Sequence, residues 1–452
     1  MCGQMHRGQK SEEHRLETLR ETEVLVIGAG PAGIAAACSA AECGRRTIVL
    51  DDNPLPGGQI WRGKEDPNAT KWLSRAQRAG VQMIHEAQVF AAMMNDTRVV
   101  MAETPDGLCA VRSPCIILAT GARERFLPFP GWTLPGVTGA GGLQALVKGG
   151  LSIEGKRVVV AGSGALLPAV AAYLHEHGAN VRLVAEQTSW LQLIAFGASL
   201  VLRPSVAMQG LGLIPQLLGI PYEAGCMVTA AHGEAKLISV TLRHGSRTWQ
   251  VDCDYLACGY NLVPNLELPV LLGCAIANGY AAVDEWQESS LPGVYCAGEL
   301  TGIGGVDRSL IEGQIAGYAA AGKQGKPKAQ ALWPQRQALC AYAERLDRAF
   351  ALRDDLKALA TPETIVCRCE DVRRAHLDAL APGSWRMAKL HTRCGMGACQ
   401  GRICGPAMSF IHDWPMESTV STRPPLFPVR METLTAAGLT ERTAEKTGEV
   451  NR

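Results

Sequence analysis

Four cysteines in the C-terminal part of the chain are spaced so that they could hold one metal site. Cys367 and Cys369 form one close pair, Cys399 and Cys404 form another, and 29 residues separate Cys369 from Cys399. Four thiolates in a tetrahedral arrangement suit zinc or an iron–sulfur cluster. A Cys-x-Cys pair is tighter than the spacing usual in zinc ribbons, which favours the cluster. Structural zinc and buried free thiols are the alternatives.

A fifth cysteine, Cys394, lies between the two pairs, within the stretch Thr392-Arg393-Cys394-Gly395-Met396-Gly397. The glycines there would let the backbone wrap closely around a metal and aim N–H groups at sulfur, which tunes the potential of a cluster. The chain has 16 cysteines in all. Several lie in or near apolar runs and are interpreted as core thiols, namely Cys38, Cys43, Cys109, Cys115, Cys253, Cys258 and Cys296.

A glycine motif near the N-terminus predicts a dinucleotide site. Gly28-Ala29-Gly30-Pro31-Ala32-Gly33 fits G-x-G-x-x-G between an apolar run at 23–27 and a helix-prone stretch at 31–43. Such glycines allow a tight turn, approach of a pyrophosphate and close helix–strand packing, while the helix N-terminus faces the phosphates. Asp51 ends the next predicted strand, where an acidic residue binds a ribose hydroxyl, and Asp52 is the weaker candidate. A glycine-rich turn without a ligand is the alternative.

A second motif, Gly162-Ser163-Gly164-Ala165-Leu166-Leu167, also follows a predicted strand and opens a helix. Leu167 stands where the third glycine would be, so close packing and phosphate approach are altered. Glu186, at the end of the following strand, could bind a ribose. We expect either a weak site for NAD(P) or an adenine nucleotide at Gly162 and Gly164, or a retained fold that has lost its nucleotide.

These elements predict an α/β protein with two Rossmann-like dinucleotide-binding domains and a small helical C-terminal domain. The stretches 113–121 and 291–298 each resemble a strand running into a glycine turn, which suggests one domain interrupted by another. The predicted divisions are a flexible arm at 1–21, the first dinucleotide domain at 22–145 and 281–325, the second at 146–280, a linker and helix at 326–360, the cysteine domain at 361–415 and a C-terminal extension at 416–452.

Composition excludes several classes of protein. The net charge of +1 over 452 residues gives no reason to expect a nucleic acid or an anionic membrane as partner. Residues 1–20 are polar and do not resemble a signal peptide. No apolar run approaches the roughly 18 residues that a membrane-spanning helix needs. We therefore expect reduced cysteines in a cytoplasmic protein, or in one peripheral to the inner membrane.

Three further motifs reveal a family resemblance. Together with the first glycine motif, Gly57-Gly58-Gln59, Ala119-Thr120-Gly121 and Cys296-Ala297-Gly298-Glu299 resemble the two-dinucleotide-fold flavoproteins. The cysteine segment resembles the [2Fe–2S] domain of bacterioferritin-associated ferredoxin. Over residues 22–430 the combination is similar to the α subunits of opine oxidase, D-hydroxyproline dehydrogenase and proline dehydrogenase, and to the middle subunit of hydrogen cyanide synthase.

The resemblance implies two cofactors. It assigns a [2Fe–2S] cluster to Cys367, Cys369, Cys399 and Cys404. Cys394 is the less suited ligand, because the similar domain of anaerobic glycerol-3-phosphate dehydrogenase has an apolar residue there. The resemblance assigns FAD to the following residues of the first domain: Gly28, Gly30, Pro31, Ala32, Gly33, Asp51, Asp52, Gly58, Gln59, Ala119, Thr120, Gly121, Gly298 and Glu299.

The resemblance also implies a function. The chain would be the α-type subunit of a hetero-oligomeric dehydrogenase acting on CH–NH or CH–NH2 donors of opine, D-hydroxyproline or proline type. An amino-acid-oxidase-like β flavoprotein, with or without a small ferredoxin-like subunit, would be its partner, and this chain would relay electrons. The turn at 57–61 carries no cysteine, which argues against a disulfide reductase. No general base can be assigned. The alternatives are a self-sufficient NAD(P)H-dependent reductase and a non-catalytic binding subunit.

Overall fold

The computed structural model describes residues 19–62, 66–94, 98–199, 215–420 and 422–438. The chain packs into two compact units. The first unit comprises the described residues up to 121, together with 264–340 and those from 422 on, and the second comprises 122–263 and 341–421. Most of the predicted N-terminal arm and the end of the predicted C-terminal extension lie outside the described residues.

The first unit is built on a five-stranded parallel sheet. Its two central strands, Val24–Ile27 and Thr47–Leu50, are buried throughout, as their uninterrupted apolar sequences predict. In spatial order the strands are Val294–Cys296, Cys115–Leu118, Val24–Ile27, Thr47–Leu50 and Gln82–Ile84. The first β–α–β unit, and the return of the chain to this sheet at 294–296, are confirmed.

Helices and a second sheet complete this unit. The second sheet has the order Leu19–Glu21, Gly107–Arg112, Arg98–Thr104 and Gln88–Met94. A hairpin joins Ile276–Ala277 to Tyr280–Ala281, and short 3-10 turns lie at Gly298–Leu300 and Gly322–Gln324. The helices are Pro31–Ala41, Gly58–Trp61, Pro67–Arg78, Glu267–Leu272, Gly305–Ala320, Lys326–Gln330 and Trp333–Ala349, and the division between the units falls inside the last of these.

The predicted linker is largely helical, and the predicted extension returns to the first unit. Lys326–Gln330 is a helix where the linker was expected, and Trp333–Ala349 is the helix predicted within 326–360. Further on, Leu426 N donates to Phe90 O (2.8 Å). Arg430 Nε donates to a carboxylate oxygen of Glu103 (3.0 Å). The stretch 426–430 of the predicted extension is thus held against the second sheet of the first unit.

The second unit contains another five-stranded parallel sheet, in the order Val137–Thr138, Tyr255–Tyr260, Arg157–Ser163, Asn180–Glu186 and Tyr222–Ala224. Its helices are Ala140–Lys148, Leu166–Glu176 and Trp190–Ser199, and a 3-10 turn lies at Pro215–Leu217. An antiparallel sheet follows, with strands Cys226–His232, Ser239–His244 and Arg247–Asp252, and short strands Ala122–Glu124 and Leu262–Pro264 pair where the chain enters and leaves. The second Rossmann-like fold is therefore present.

The cysteine domain belongs to this second unit. After a 3-10 turn at Asp354–Ala358, it comprises the strand pair Ile365–Cys367 and Val372–Arg373, the helices Arg374–Leu380, Trp385–Thr392 and Cys404–His412, and a 3-10 turn at Met416–Thr419. Its buried side chains, such as Leu377 and Met408, share one hydrophobic core with Val159 and Leu183 of the second parallel sheet. Within the described part of the chain, no helix is both long and apolar enough to cross a membrane.

Two glycines set the packing distance between the main helices of the first unit. A Cβ atom on Gly313 or Gly317 of helix Gly305–Ala320 would lie 2.1 Å from a carbonyl oxygen of helix Pro31–Ala41, that of Ala32 or Ala36 respectively. A side chain at either position would therefore force the two helix backbones apart.

We predict that Gly317→Ala lowers the free energy of unfolding by about 1–3 kcal/mol, because the added methyl overpacks this helix contact. Gly197→Ala is the matched control. Gly197 also lies in a helix, but no described atom is within 4 Å of the place its Cβ would take. That change should be neutral or stabilise by up to about 1 kcal/mol. Urea unfolding followed by circular dichroism measures both, and equal stability of the two variants would contradict the packing.

Candidate cofactor sites

The first glycine loop is held by contacts between backbones. Gly28 has φ +103°, and a Cβ there would lie 2.3 Å from Ala119 O. A Cβ on Gly33 would lie 1.8 Å from Gly28 O. Because neither position leaves room for a methyl group, these two glycines serve the turn and the helix–strand packing, as the motif predicts.

Gly30, the middle glycine of the motif, faces open space. Its φ of −73° is available to any residue. No atom of the described residues lies within 4 Å of the place its Cβ would take. Glycine is therefore not required here by the protein's own packing. The open space lies at the N-terminus of helix Pro31–Ala41, where backbone N–H groups favour a phosphate.

Asp51 lies beside this loop, at the end of its strand. Its side chain is 4 % exposed overall. One carboxylate oxygen accepts from Ala29 N (2.5 Å), and the other accepts from Asn53 N (2.9 Å). Asp52 is exposed. Both acidic residues stand at the edge where a ribose is expected, and the ribose role of each stays a prediction.

The remaining predicted residues of the first unit converge on the same loop. Gly57 N donates to Ala29 O (2.8 Å), which places the turn carrying Gly58 and Gln59 on the loop. A Cβ on Gly298 would lie 2.8 Å from the Cβ of Ala32. Close to Ala119, the hydroxyl of Thr120 donates to Asn265 O (3.1 Å), and Asn265 Nδ2 donates back to Thr120 O (2.8 Å).

Glu299 lies in the same 3-10 turn as Gly298, and its carboxyl group is only partly hydrogen-bonded by the described residues. Its Oε1 accepts from Gly305 N (3.0 Å). Its Oε2 is buried, with no hydrogen-bond partner among the described residues. Burial raises the pKa of this carboxyl to about 7. A ligand hydroxyl would satisfy the free oxygen, and together with the open space at Gly30 this fits a flavin dinucleotide.

Glu312 is a site residue that the motifs did not reveal. It is fully buried, and its carboxylate accepts from Gly298 N (3.1 Å), Thr301 Oγ1 (2.5 Å) and Arg308 Nε (2.9 Å). Arg336 Nε lies 3.3 Å away. Glu312 thereby fixes the turn that carries Gly298 and Glu299. The sequence signal that could have revealed Glu312 is its separation of four residues from Arg308, which places the two side chains on the same face of a helix.

The second glycine loop differs from the first in what surrounds it. A Cβ on Gly162 would lie 1.8 Å from Gly259 O, so the tight turn is kept. Glu186, the predicted ribose ligand, is completely buried, and burial raises its pKa. Its two oxygens accept from Gly164 N (2.9 Å) and Thr188 N (2.9 Å). Leu167 is also buried, and it packs in the core beneath the sheet.

Five cysteines gather at the other candidate site. The Sγ atoms of Cys367, Cys394 and Cys404 all lie within 4.8 Å of one another, and all three side chains are buried. Cys399 is half-buried and hydrogen-bonded to the thiols of Cys404 and Cys369. Cys369 is exposed. The structure thus groups two of the predicted ligands, Cys367 and Cys404, with Cys394, which was predicted to be the less suited ligand. The choice of the four ligands stays a prediction.

Hydrogen bonding among these thiols lowers the pKa of Cys367 and Cys399, which favours the thiolate form that metals bind, and raises the pKa of Cys394 and Cys404, which donate. Hydrogen bonds from Cys394 and Cys404, with a further bond from Gly395 N (3.4 Å), lower the pKa of Cys367 to about 2. The thiol of Cys404 lowers the pKa of Cys399 to about 5. A close group of thiols that already includes thiolate character at Cys367 and Cys399 fits an iron–sulfur cluster or zinc.

Two cysteines of the first unit, Cys38 and Cys43, are separated by four residues, and their surroundings are those of core thiols. Cys38 and Cys43 are both buried. Burial raises the pKa of Cys38 to about 12. The Cys38 thiol donates to Trp72 O (3.7 Å). A reactive cysteine needs a lowered pKa, so this pair does not have the character of a redox disulfide.

Comparisons with known proteins agree with an architecture of two dinucleotide-binding folds. The model of the family described as pyridine nucleotide-disulphide oxidoreductase matches residues 22–325. Hydrogen cyanide synthase subunit HcnB of Pseudomonas aeruginosa is 32% identical over 420 residues, covering 84% of this chain and 90% of that protein. The A subunit of opine oxidase from Rhizobium meliloti (strain 1021) is 32% identical over 466 residues, covering 90% of this chain and 97% of that protein.

Solved structures show the same fold. L-proline dehydrogenase from P. horikoshii superposes with a TM-score of 0.67 at 18% identity, covering 92% of this chain and 80% of that chain. Thioredoxin reductase from T. acidophilum gives 0.52 at 19% identity, covering 67% of this chain and 98% of that chain. The predicted family and fold class are confirmed. The chain belongs to the pyridine nucleotide-disulphide oxidoreductase family and is an FAD-dependent oxidoreductase.

Proposed function

We propose that this chain is the α-type subunit of a hetero-oligomeric, flavin-dependent dehydrogenase of amino or imino acids, and that it relays electrons through FAD and a [2Fe–2S] cluster. Two relatives that match most of its length are named as subunits, of opine oxidase and of hydrogen cyanide synthase. The observation that carries the proposal is a cluster of thiols in a domain appended to a flavoprotein fold: Cys367, Cys394 and Cys404 form a buried group, and Cys399 interacts with Cys404 and Cys369.

In the first unit, the predicted residues would bind and orient the dinucleotide. The loop from Gly28 to Gly33 offers its open space and helix N-terminus to the pyrophosphate. Asp51 lies where a ribose is expected, and the free oxygen of Glu299 is available to a hydroxyl of the flavin's chain. Glu312 holds the turn of Glu299 in place. FAD supplies two-electron redox chemistry when bound.

In the second unit, we propose that Cys367, Cys369, Cys399 and Cys404 are the cluster ligands. A [2Fe–2S] cluster supplies a one-electron centre when bound. Cys394 would then be a buried neighbour whose thiol donates to the sulfur of Cys367. The Gly395 N–H aimed at Cys367 is a contact of the kind that tunes such a centre.

The substrate would be oxidised on a partner. We propose an amino-acid-oxidase-like β flavoprotein as that partner, with or without a small ferredoxin-like subunit, in the cytoplasm or peripheral to the inner membrane. The substrate would be an amine or imine of opine, D-hydroxyproline or proline type, because the relatives include opine oxidase and the fold is that of a proline dehydrogenase. This division of labour agrees with the lack of an assignable general base in the sequence.

We predict that the chain's flavin is reduced by an amino-acid substrate only in the complex. The complex with the β flavoprotein and the isolated chain are each mixed anaerobically with opines, D-hydroxyproline and proline, and flavin bleaching and the cluster's EPR signal are followed. NADH and NADPH serve as comparison donors. Rapid stoichiometric reduction of the isolated chain by either would establish the self-sufficient reductase instead. Failure of both centres to reduce in the complex would establish a non-catalytic binding subunit.

The flavin assignment predicts that Gly30→Ala folds normally but weakens FAD binding at least tenfold, or about 1.4 kcal/mol. The new methyl meets no atom of the described part of the chain, yet it would occupy the space proposed for the pyrophosphate. Gly383→Ala is the control, because its Cβ would also meet nothing within 4 Å, far along the chain in the cysteine domain. Flavin content and far-UV circular dichroism measure the outcome, and full flavin affinity in Gly30→Ala would refute this site.

The ligand assignment predicts that serine at Cys367, Cys369, Cys399 or Cys404 loses or distorts the cluster, whereas Cys394→Ser retains it. Serine keeps the size of the side chain but is a poor ligand for iron. Iron and sulfide content, with EPR of the reduced protein, measure each variant. Cluster loss in Cys394→Ser with retention in Cys369→Ser would refute the choice of ligands. Zinc in place of iron in anaerobically prepared protein would refute the electron relay.

A further inference from the structure

A short segment before the cysteine domain, residues 350–353, lies across the carboxyl edge of the second parallel sheet. Ser163 is the last residue of one strand, and its Oγ donates to Phe350 O (3.2 Å). Asn261 follows the neighbouring strand directly, and its Nδ2 donates to the same carbonyl oxygen (2.9 Å). Two adjacent strands thus bind one peptide group of the segment.

The third strand contributes Gln187, which follows it directly and is completely buried. Its Nε2 donates to Ala351 O (3.1 Å), and its Oε1 accepts from Arg353 N (3.2 Å). The guanidinium of Arg353 donates to Gln187 O (3.1 Å) and to Gly225 O (3.3 Å). The segment is therefore tied to the ends of three adjacent strands by both its backbone and a side chain.

This edge is where a nucleotide would lie, because dinucleotides bind outside the carboxyl ends of the strands, in front of the glycine loop. The two loops of this chain differ at that point. No atom of the residues that the structure describes lies within 4 Å of a Cβ on Gly30, whereas Asn261 Oδ1 lies 3.3 Å from a Cβ on Gly164. A carboxylate bonded to a loop N–H occurs in both folds, so Glu186 is not the difference.

We infer that the chain's own segment 350–353 occupies the nucleotide's place in the second fold, and that this fold now serves to hold the cysteine domain in position. The segment leads directly into that domain. The side chain of Leu352 packs against the hydrophobic core that the domain shares with the second sheet. This inference does not depend on the proposed substrate or on the electron relay.

Displacing the segment would be costly. Ser163 and Gln187 are buried, and removal of the segment would take from each a hydrogen-bond partner that water could not replace there. A nicotinamide nucleotide would have to replace these hydrogen bonds before gaining any of its own. The second fold should therefore bind no NAD(P)H, independently of the altered glycine motif.

Asn261→Gly tests the contact without disturbing the backbone. Asn261 has φ +61°, a conformation that glycine adopts readily, and the change removes both the bond to Phe350 O and the atom in front of Gly164. In hydrogen exchange of the cofactor-loaded protein, the amides of 350–353 should exchange about fivefold faster, as for one lost hydrogen bond. Asn278→Gly is the matched control, since Asn278 has φ +52° and is exposed.

Titration of the unaltered protein with NADH, followed by fluorescence and by exchange of the loop 162–167, provides the second measurement. We expect no saturation up to about 1 mM, the upper end of ordinary KM values. Saturable binding that protects this loop would overturn the inference. So would an unchanged exchange rate at 350–353 in Asn261→Gly, because the bond from Asn261 would then not hold the segment in front of the glycine loop.

Discussion

Both dinucleotide folds depend on one backbone contact that excludes a side chain. In each, the first glycine of the loop has a positive φ, and its Cα faces a carbonyl oxygen at the end of a neighbouring strand. A Cβ there would lie 2.3 Å from Ala119 O in the first fold and 1.8 Å from Gly259 O in the second. These contacts bring the loop close to the carboxyl edge of its sheet. The rest of each site, including the bonds to Asp51 and Glu186, requires that closeness.

The same glycine-loop arrangement has a different environment in each of the two folds. In the first fold the space before Gly30 is open and the carboxylate oxygen of Glu299 lacks a partner among the described residues, as expected of a site built for a ligand. In the second, Asn261 and the segment 350–353 complete the hydrogen bonding of the strand ends. A retained turn motif is therefore evidence for a fold, while the atoms in front of the middle glycine are evidence for or against a ligand.

The sequence predicted well what is local and failed where distant residues meet. The strands around Gly28 and Gly162 were predictable because apolar runs end in glycine turns, and the helix predicted to open at the second motif is Leu166–Glu176. The helix predicted within 326–360 begins at Trp333 and ends at Ala349, before the segment that binds the second sheet. That binding was not predictable, because Gln187 and Ala351 are 164 positions apart and neither lies in a motif. The closeness of Cys394 to Cys404 likewise depends on how the spacer between the cysteine pairs folds back.

The order of segments along the chain also sets an order of events during synthesis. The chain passes between its two units at 121–122, 263–264, 340–341 and 421–422. The second unit, with its cysteine domain, is complete once residue 421 has emerged from the ribosome, while the first unit still awaits the segment that bonds to Phe90 and Glu103. N-terminal domains usually finish folding first during translation. Here the first unit is completed after the second, because the segment that bonds to Phe90 and Glu103 is synthesised after the last residue of the second unit.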